Sequence, residues 1–199
     1  MGIRKVAKRA VFLDRDGVIN RLALDPATDE YESPHDPKDL KLYPWSINAL
    51  KELQNADYIL FIVSNQPSYA KGKTSLKSLK AVHAKFHRLM KMNGIKFKRY
   101  FYCYHHPDGV VAKYAVKCRC RKPKPYFILK AVKENYLDAS HSWFIGDRDI
   151  DVLCGRAGGT MTILVDEKRS RHLRGESSPD FRARNLKEAV KIIVKRSNK

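Results

Sequence analysis

At 199 residues, 43% apolar and 31% charged, the chain is long enough to bury a core without staples and too apolar for collagenous, low-complexity or disordered classes. Its longest wholly apolar run is the six residues Tyr58 to Val63, too short to span a bilayer, and Ala10 to Leu13 is too short for a signal-peptide core. The net charge of +19 is lopsided, because residues 1–40 hold 7 basic and 8 acidic side chains while everything from Lys41 onward nets +20, so an anionic partner is expected.

Ala10-Val-Phe-Leu13 reads as a buried strand running into the turn Asp14-Arg-Asp-Gly17. Residues 21–39, rich in Asp, Pro and Ser, read as loop. Ile47, Ala49, Leu50 and Leu53 carry helical spacing, so Ile47 to Leu53 is a predicted helix. Tyr58 to Val63 is a second buried strand, ended by Ser64-Asn-Gln-Pro67. Ser75 to Met92 repeats apolar residues at helical spacing, with Gly94 as the stop. Tyr100 to Tyr104 is a third strand, Phe127 to Tyr136 a helix, and Trp143 to Ile145 a fourth strand ending in Gly146-Asp147. Ile150 to Ala157 is a helix stopped by Gly158-Gly159, and Thr160 to Val165 a fifth strand. Lys168 to Arg184 reads as basic loop and Leu186 to Val194 as a terminal helix.

Strands alternating with helices predict a parallel sheet covered on both faces, a three-layer α/β/α sandwich. No linker is visible, so residues 1–199 are expected to form one domain. In such sheets ligands bind at the carboxyl ends of the strands. Asp14/Asp16, Ser64/Asn65 and Asp147 end three of them. In extended backbone Asp14 and Asp16 would face one pocket while Arg15 faces away. Two carboxylates forced together repel unless a cation joins them. With Asp147, Asp149 and Asp151 they form an oxygen-rich set that suits Mg²⁺. Ser64, Asn65, Arg121 and Lys122 supply donors and charge for a phosphoryl group. Phosphoryl transfer to a carboxylate nucleophile is the chemistry these residue types suggest.

Cys103, Cys118 and Cys120 crowd into 18 residues. A bridge between Cys118 and Cys120 would be badly strained, and metal binding outranks a disulfide framework. Three thiolates and one imidazole, from His105 or His106, make the closed set of a structural zinc site. His83 and His87, at i and i+4 with no third ligand, read as surface histidines, and Cys154 as a small buried residue.

Phe12-Leu-Asp-Arg-Asp-Gly-Val-Ile-Asn20, Val63-Ser-Asn-Gln66, Lys122 and Gly146-Asp-Arg-Asp-Ile-Asp151 resemble the four motifs of the haloacid dehalogenase superfamily of phosphatases. Cys103-Tyr-His-His-Pro107 with Cys118-Arg-Cys-Arg-Lys-Pro-Lys-Pro125 resembles its zinc-bearing branch of D-glycero-D-manno-heptose 1,7-bisphosphate and histidinol-phosphate phosphatases. The resemblance implies a Rossmann-like sheet without a large cap and a zinc loop at about 103–120 held by Cys103, His105, Cys118 and Cys120. It implies Asp14 as nucleophile and Asp16 as acid–base. Mg²⁺ would be held by Asp14, the Asp16 carbonyl and Asp147, with Asp151 supporting that network. Ser64 and Lys122 would bind the transferring group, while Asn65, Arg121 and Arg148 would recognise substrate.

Two stretches depart from the family pattern, Pro67-Ser-Tyr-Ala-Lys-Gly72 and Pro44-Trp45. Twelve residues between His105 and Cys118, with Lys113, Lys117, Arg119, Arg121, Lys122 and Lys124 around them, favour a sugar bisphosphate over histidinol phosphate. A polynucleotide 3′-phosphatase, or a nucleic-acid binder, is the alternative of a different class, motivated by the charge. The expected protein is a cytoplasmic monomer with no membrane partner.

Overall fold

The computed structural model describes residues 8–175 and 177–197. Its elements in chain order are β1 (Ala10–Leu13), β2 (Ala23–Asp25), β3 (Glu30–Glu32), α1 (Ser46–Asn55), β4 (Ile59–Asn65), α2 (Leu76–Met92), β5 (Phe97–Cys103), α3 (Tyr126–Asn135), β6 (Trp143–Gly146), α4 (Asp149–Ala157), β7 (Met161–Val165), β8 (Phe181–Ala183) and α5 (Leu186–Ser197). Six strands form one sheet in the order β5-β4-β1-β6-β7-β8, and every pairing is parallel.

Strand alternation builds two cores. Val11 and Leu13 of β1, with Leu60 and Ile62 of β4, pack against apolar stripes of α1, α2 and α5. Ala10 and Phe12, with Phe61 and Val63, turn the other way, onto Ile128 and Ala131 of α3 and Cys154 of α4. Both faces of β1 are therefore dry, which is why its sequence is uniformly apolar rather than alternating. Ser75 caps α2 by accepting the Ser78 N–H at 3.0 Å. Gly94, at φ +74°, turns the chain out of that helix. Among the described residues no helix is long and apolar enough to cross a membrane.

Two stretches read as loop contain strands. Within residues 21–39, β2 and β3 pair antiparallel, Leu24 opposite Tyr31. Their turn is set by Asp25, whose carboxylate accepts the Ala27 N–H at 3.1 Å, and by Asp29 at φ +54°. Within the basic stretch 168–184, a 3-10 turn at Lys168–Leu173 precedes β8. Asp180 fixes β8 by accepting the Thr162 N–H at 2.8 Å and its hydroxyl at 2.7 Å. Three-residue strands are too short to show periodicity, and here they are rich in charge.

His83 is not a surface residue, and His87 is half-buried. His83 is 5% exposed, stacks on Tyr102 with centroids 4.0 Å apart, and pairs Nδ1 with the Tyr104 hydroxyl at 3.1 Å. His87 stacks on Tyr100 at 3.8 Å. The aromatic face of β5 supplies partners that α2 alone could not reveal.

Candidate active site

The sheet order makes β4, β1 and β6 neighbours, so Ser64, Asp14 and Asp147 meet at adjacent strand ends. The Asp14 N–H continues the ladder onto the Ile145 carbonyl at 2.9 Å. Lys122 reaches this point from outside the sheet and is 3% exposed. Its Nζ lies 3.0 Å from Asp14 Oδ2 and 2.7 Å from Asp151 Oδ1. Burial alone would drive the Lys122 proton off, but the two carboxylates outweigh it and raise its pKa. Burial pushes the Asp14 pKa up against the pull of Lys122.

Asp14, Asp147 and Asp151 bring carboxylate oxygens within 4.8 Å of one another. Burial, joined by repulsion from Asp151 and Asp14 and opposed by Arg148 and Ser170, lifts the Asp147 pKa to about 7. Both Asp147 carboxylate oxygens are buried without a hydrogen-bond partner among the described residues. Arg148 Nε stands 3.8 Å from that carboxylate. The Asp151 Oδ2, by contrast, already accepts the Asp147 and Arg148 N–H groups at 3.2 and 3.0 Å. Asp147 and Asp14 thus keep oxygen lone pairs in a buried, anion-rich space, while Asp151 is a bracket. Such a donor set fits a small divalent cation. Gly17, at φ +82°, lets the backbone pass so close that a Cβ there would collide with the Asp147 carboxylate.

Asp16 departs from the expected arrangement. Strand geometry ends at Leu13, so the i, i+2 rule does not set how Asp14, Arg15 and Asp16 face one another. Arg15 does not face away: it is fully buried and grips the Asp16 carboxylate through Nε and Nη2, both at 3.0 Å. Asn20, Gln66 and Ser33 donate to the same carboxylate at 2.8, 2.6 and 2.9 Å. Burial raises the Asp16 pKa, but Arg15 and these donors more than reverse it and hold the group ionised.

Asn65 clamps the Lys122 backbone from both sides: its Oδ1 accepts the Lys122 N–H at 3.1 Å and its Nδ2 donates to the Lys122 carbonyl at 3.2 Å. Arg121 is half-buried and donates to the His105 carbonyl at 3.2 Å.

Cys103 ends β5 directly beside Asn65. Its Sγ lies 3.5 Å from Cys118 and 3.4 Å from Cys120, and those two are 3.5 Å apart. These separations exceed a disulfide bond, and all three cysteines are free. His105 Nδ1 completes the group at 3.8 Å from Cys103 and 3.6 Å from Cys120. His106 is not part of this group; its Nδ1 accepts the Asp108 N–H. Four soft ligands at near-equal edges match a tetrahedral site with Zn–S of about 2.3 Å. Arg121 and Lys122 follow Cys120 immediately, so this cluster fixes where Lys122 enters. The divergent turn 67–72 docks on the same loop: the Ala70 carbonyl accepts Val110 and Val111 N–H groups at 2.7 and 3.1 Å.

One contributor had no sequence signal. Arg174 donates through Nε to the Asp147 carbonyl at 2.9 Å, through Nη1 to Asp166 at 2.5 Å, and through Nη2 to the Glu167 carbonyl. Ser170 Oγ reaches the Asp147 carbonyl at 3.3 Å. Asp149 accepts the Gly175 N–H and the Ser177 hydroxyl. The segment after β7 is thus strapped onto the Asp147 turn. In the sequence Arg174 is one more cation in a basic stretch.

Residues 119–189 match the HAD-hydrolase-like family model. The chain is 34% identical over 160 residues to the D-glycero-beta-D-manno-heptose-1,7-bisphosphate 7-phosphatase of Vibrio cholerae, covering 80% of this chain and 82% of that one. It is 33% identical over 158 residues to the D-glycero-alpha-D-manno-heptose-1,7-bisphosphate 7-phosphatase of Photorhabdus laumondii, covering 79% and 82%. The chain belongs to the HAD-like phosphatases. The fold of this phosphatase is shared with the D,D-heptose 1,7-bisphosphate phosphatase of B. bronchiseptica, solved with magnesium and phosphate, at TM-score 0.76 and 24% identity over 94% of this chain and 99% of that one.

Proposed function

We infer that the phosphatase removes a phosphoryl group from D-glycero-D-manno-heptose 1,7-bisphosphate through a phosphoryl–Asp14 intermediate. The observation that carries the mechanism is the juxtaposition of Asp14 with Lys122 at 3.0 Å, flanked by Ser64 and Asp147 on the adjoining strand ends. The heptose comes from the relatives' names, supported by the twelve residues between His105 and Cys118.

Asp14 Oδ attacks phosphorus and the bond to the sugar oxygen breaks. The Lys122 ammonium and the Ser64 hydroxyl hold the equatorial oxygens as charge builds on them. Mg²⁺, held by Asp14, the Asp16 carbonyl and Asp147, would supply Lewis-acid neutralisation of the phosphoryl oxygens. Asp16 protonates the leaving alkoxide and then takes a proton from the water that cleaves the acyl phosphate. In its present setting Asp16 is held ionised, so its acid role requires release from Arg15 and uptake of a proton from solvent when substrate enters. Arg121 and Arg148 flank the entrance as partners for a second phosphate. Zinc at Cys103, His105, Cys118 and Cys120 is structural: the set is closed and offers no open position.

A phosphate-release screen decides the substrate. It should contain both heptose bisphosphate anomers, a hexose bisphosphate, histidinol phosphate and a 3′-phosphorylated oligonucleotide. The highest kcat/KM is expected for a heptose bisphosphate. A higher value for histidinol phosphate or for the oligonucleotide would replace this reading.

A further inference from the structure

Away from the zinc loop, three clefts of about 370, 290 and 560 Å³ lie end to end. The first two share Arg21 and Arg169. The second and third share Val165, Asp166 and Arg184. They form one groove that passes the outer side of Gly17.

The acidic side chains of this groove are largely spoken for. Asp166 is engaged by Arg171 and Arg174, Glu167 by the Tyr43 hydroxyl, and Glu188 by Arg184. Five exposed cations on its walls, Arg21, Lys41, Lys168, Arg169 and Arg182, have no carboxylate partner among the described residues. Asp39 and Glu167 are the wall carboxylates in no ion pair among the described residues, and the five cations outnumber them. Aromatic rings sit between the cations, Tyr31 and Trp45 half-exposed and Tyr43 buried. The Arg169 guanidinium covers Tyr31 at 4.4 Å, and that of Arg21 covers Tyr43 at 5.6 Å. Trp45, the residue that departs from the family pattern, stacks on Tyr43 with 6° between planes.

One phosphate needs one or two cations, whereas five unneutralised ones spread along three clefts suit a chain of phosphates. A concave groove suits a strand better than the flat face of a bilayer. Cations tracking a backbone, with rings between them for bases, make the standard arrangement for single-stranded nucleic acid. Arg169 turning onto a phosphate would uncover the Tyr31 face. We propose that the groove running past Arg21, Lys168 and Arg169 binds single-stranded nucleic acid, independently of catalysis.

The test is fluorescence anisotropy of the full-length protein with labelled dT15 lacking a terminal phosphate, in EDTA, so that the hydrolytic site is not engaged. With about four phosphates neutralised, log K should fall with log salt at a slope of about −3. Arg21→Ala/Lys168→Ala/Arg169→Ala should weaken binding at least 10-fold and flatten the slope to about −1. The charge-matched Lys77→Ala/Lys80→Ala/Lys91→Ala, on the exposed face of α2, should change it less than 2-fold. If the groove variant melts early, the single exposed reversal Lys168→Glu replaces it, with at least 3-fold loss expected. Equal weakening by both triple variants would overturn the proposal. So would failure to bind dT15 at 50 mM salt, or binding of phosphatidylglycerol vesicles without dT15.

Discussion

Removing the Lys122 ammonium while keeping its bulk, as in Lys122→Met, isolates the electrostatics of the site. Lys122 is held by Asp14 at 3.0 Å and Asp151 at 2.7 Å, and all three are buried. Deleting one member of a buried ion pair costs about 3–5 kcal/mol, because an uncompensated charge is left in low dielectric. The sign with pH follows from the orphaned carboxylates. Burial already raises the Asp14 pKa despite Lys122, so without the ammonium it rises further. A carboxylate whose folded pKa lies above its unfolded value destabilises the fold at high pH and ceases to do so once protonated. The deficit should therefore shrink as pH falls, by about 1.4 kcal/mol per pH unit for each proton taken up. Urea unfolding of both proteins in EDTA, from pH 8 to pH 5, measures this. A deficit below about 1 kcal/mol that does not change with pH would refute the buried triad.

Three further perturbations have expected outcomes. His83 is held neutral, its pKa lowered to about 3 chiefly by burial, with Arg15 adding to it; unfolding lets it take up a proton below about pH 6.5, so stability should fall as pH drops from 6 to 4. In His83→Phe, which keeps the stack on Tyr102, the stability–pH slope over that interval should be smaller by about 1.4 kcal/mol per unit; an unchanged slope would count against the buried neutral imidazole. Cys118→Ser and Cys120→Ser should each lower bound zinc, measured by atomic absorption, together with melting temperature; full stability without zinc would contradict its structural role. Arg174→Ala should raise the Mg²⁺ concentration for half-activation about 10-fold or more, as loss of an outer-shell partner does, and weaken Mg²⁺ binding by calorimetry. Arg174→Lys should restore only part of this, and no shift in either variant would mean that the strap leaves Asp147 untouched.

The parallel sheet and the residues on its carboxyl edge were legible because both leave long-range signals. β1 and β4 contain apolar runs of four or more residues, and the polar residues that end them are where an open α/β sheet binds. The cluster of Cys103, Cys118 and Cys120 with a histidine was legible from residue chemistry, the family resemblance pointed to His105, and His105 is the imidazole that lies among the three thiols. Three features were hidden for different reasons. β2, β3 and β8 are three residues each and owe their existence to partners elsewhere. The environment of Asp16 depends on partners far along the chain, Ser33 and Gln66, that converge on it only in the fold. Arg174 acts through contacts 27 residues away, for which its basic neighbours offer no hint.

Single-turnover labelling tests the central claim most directly. Heptose bisphosphate carrying a labelled 7-phosphoryl group is mixed with excess enzyme and quenched in acid on the millisecond scale, and peptides are mapped by mass. Transient label on the peptide containing Asp14, absent from a folded Asp14→Asn protein that no longer turns over, is the expected result. Turnover by Asp14→Asn, or label on any other residue, would contradict it.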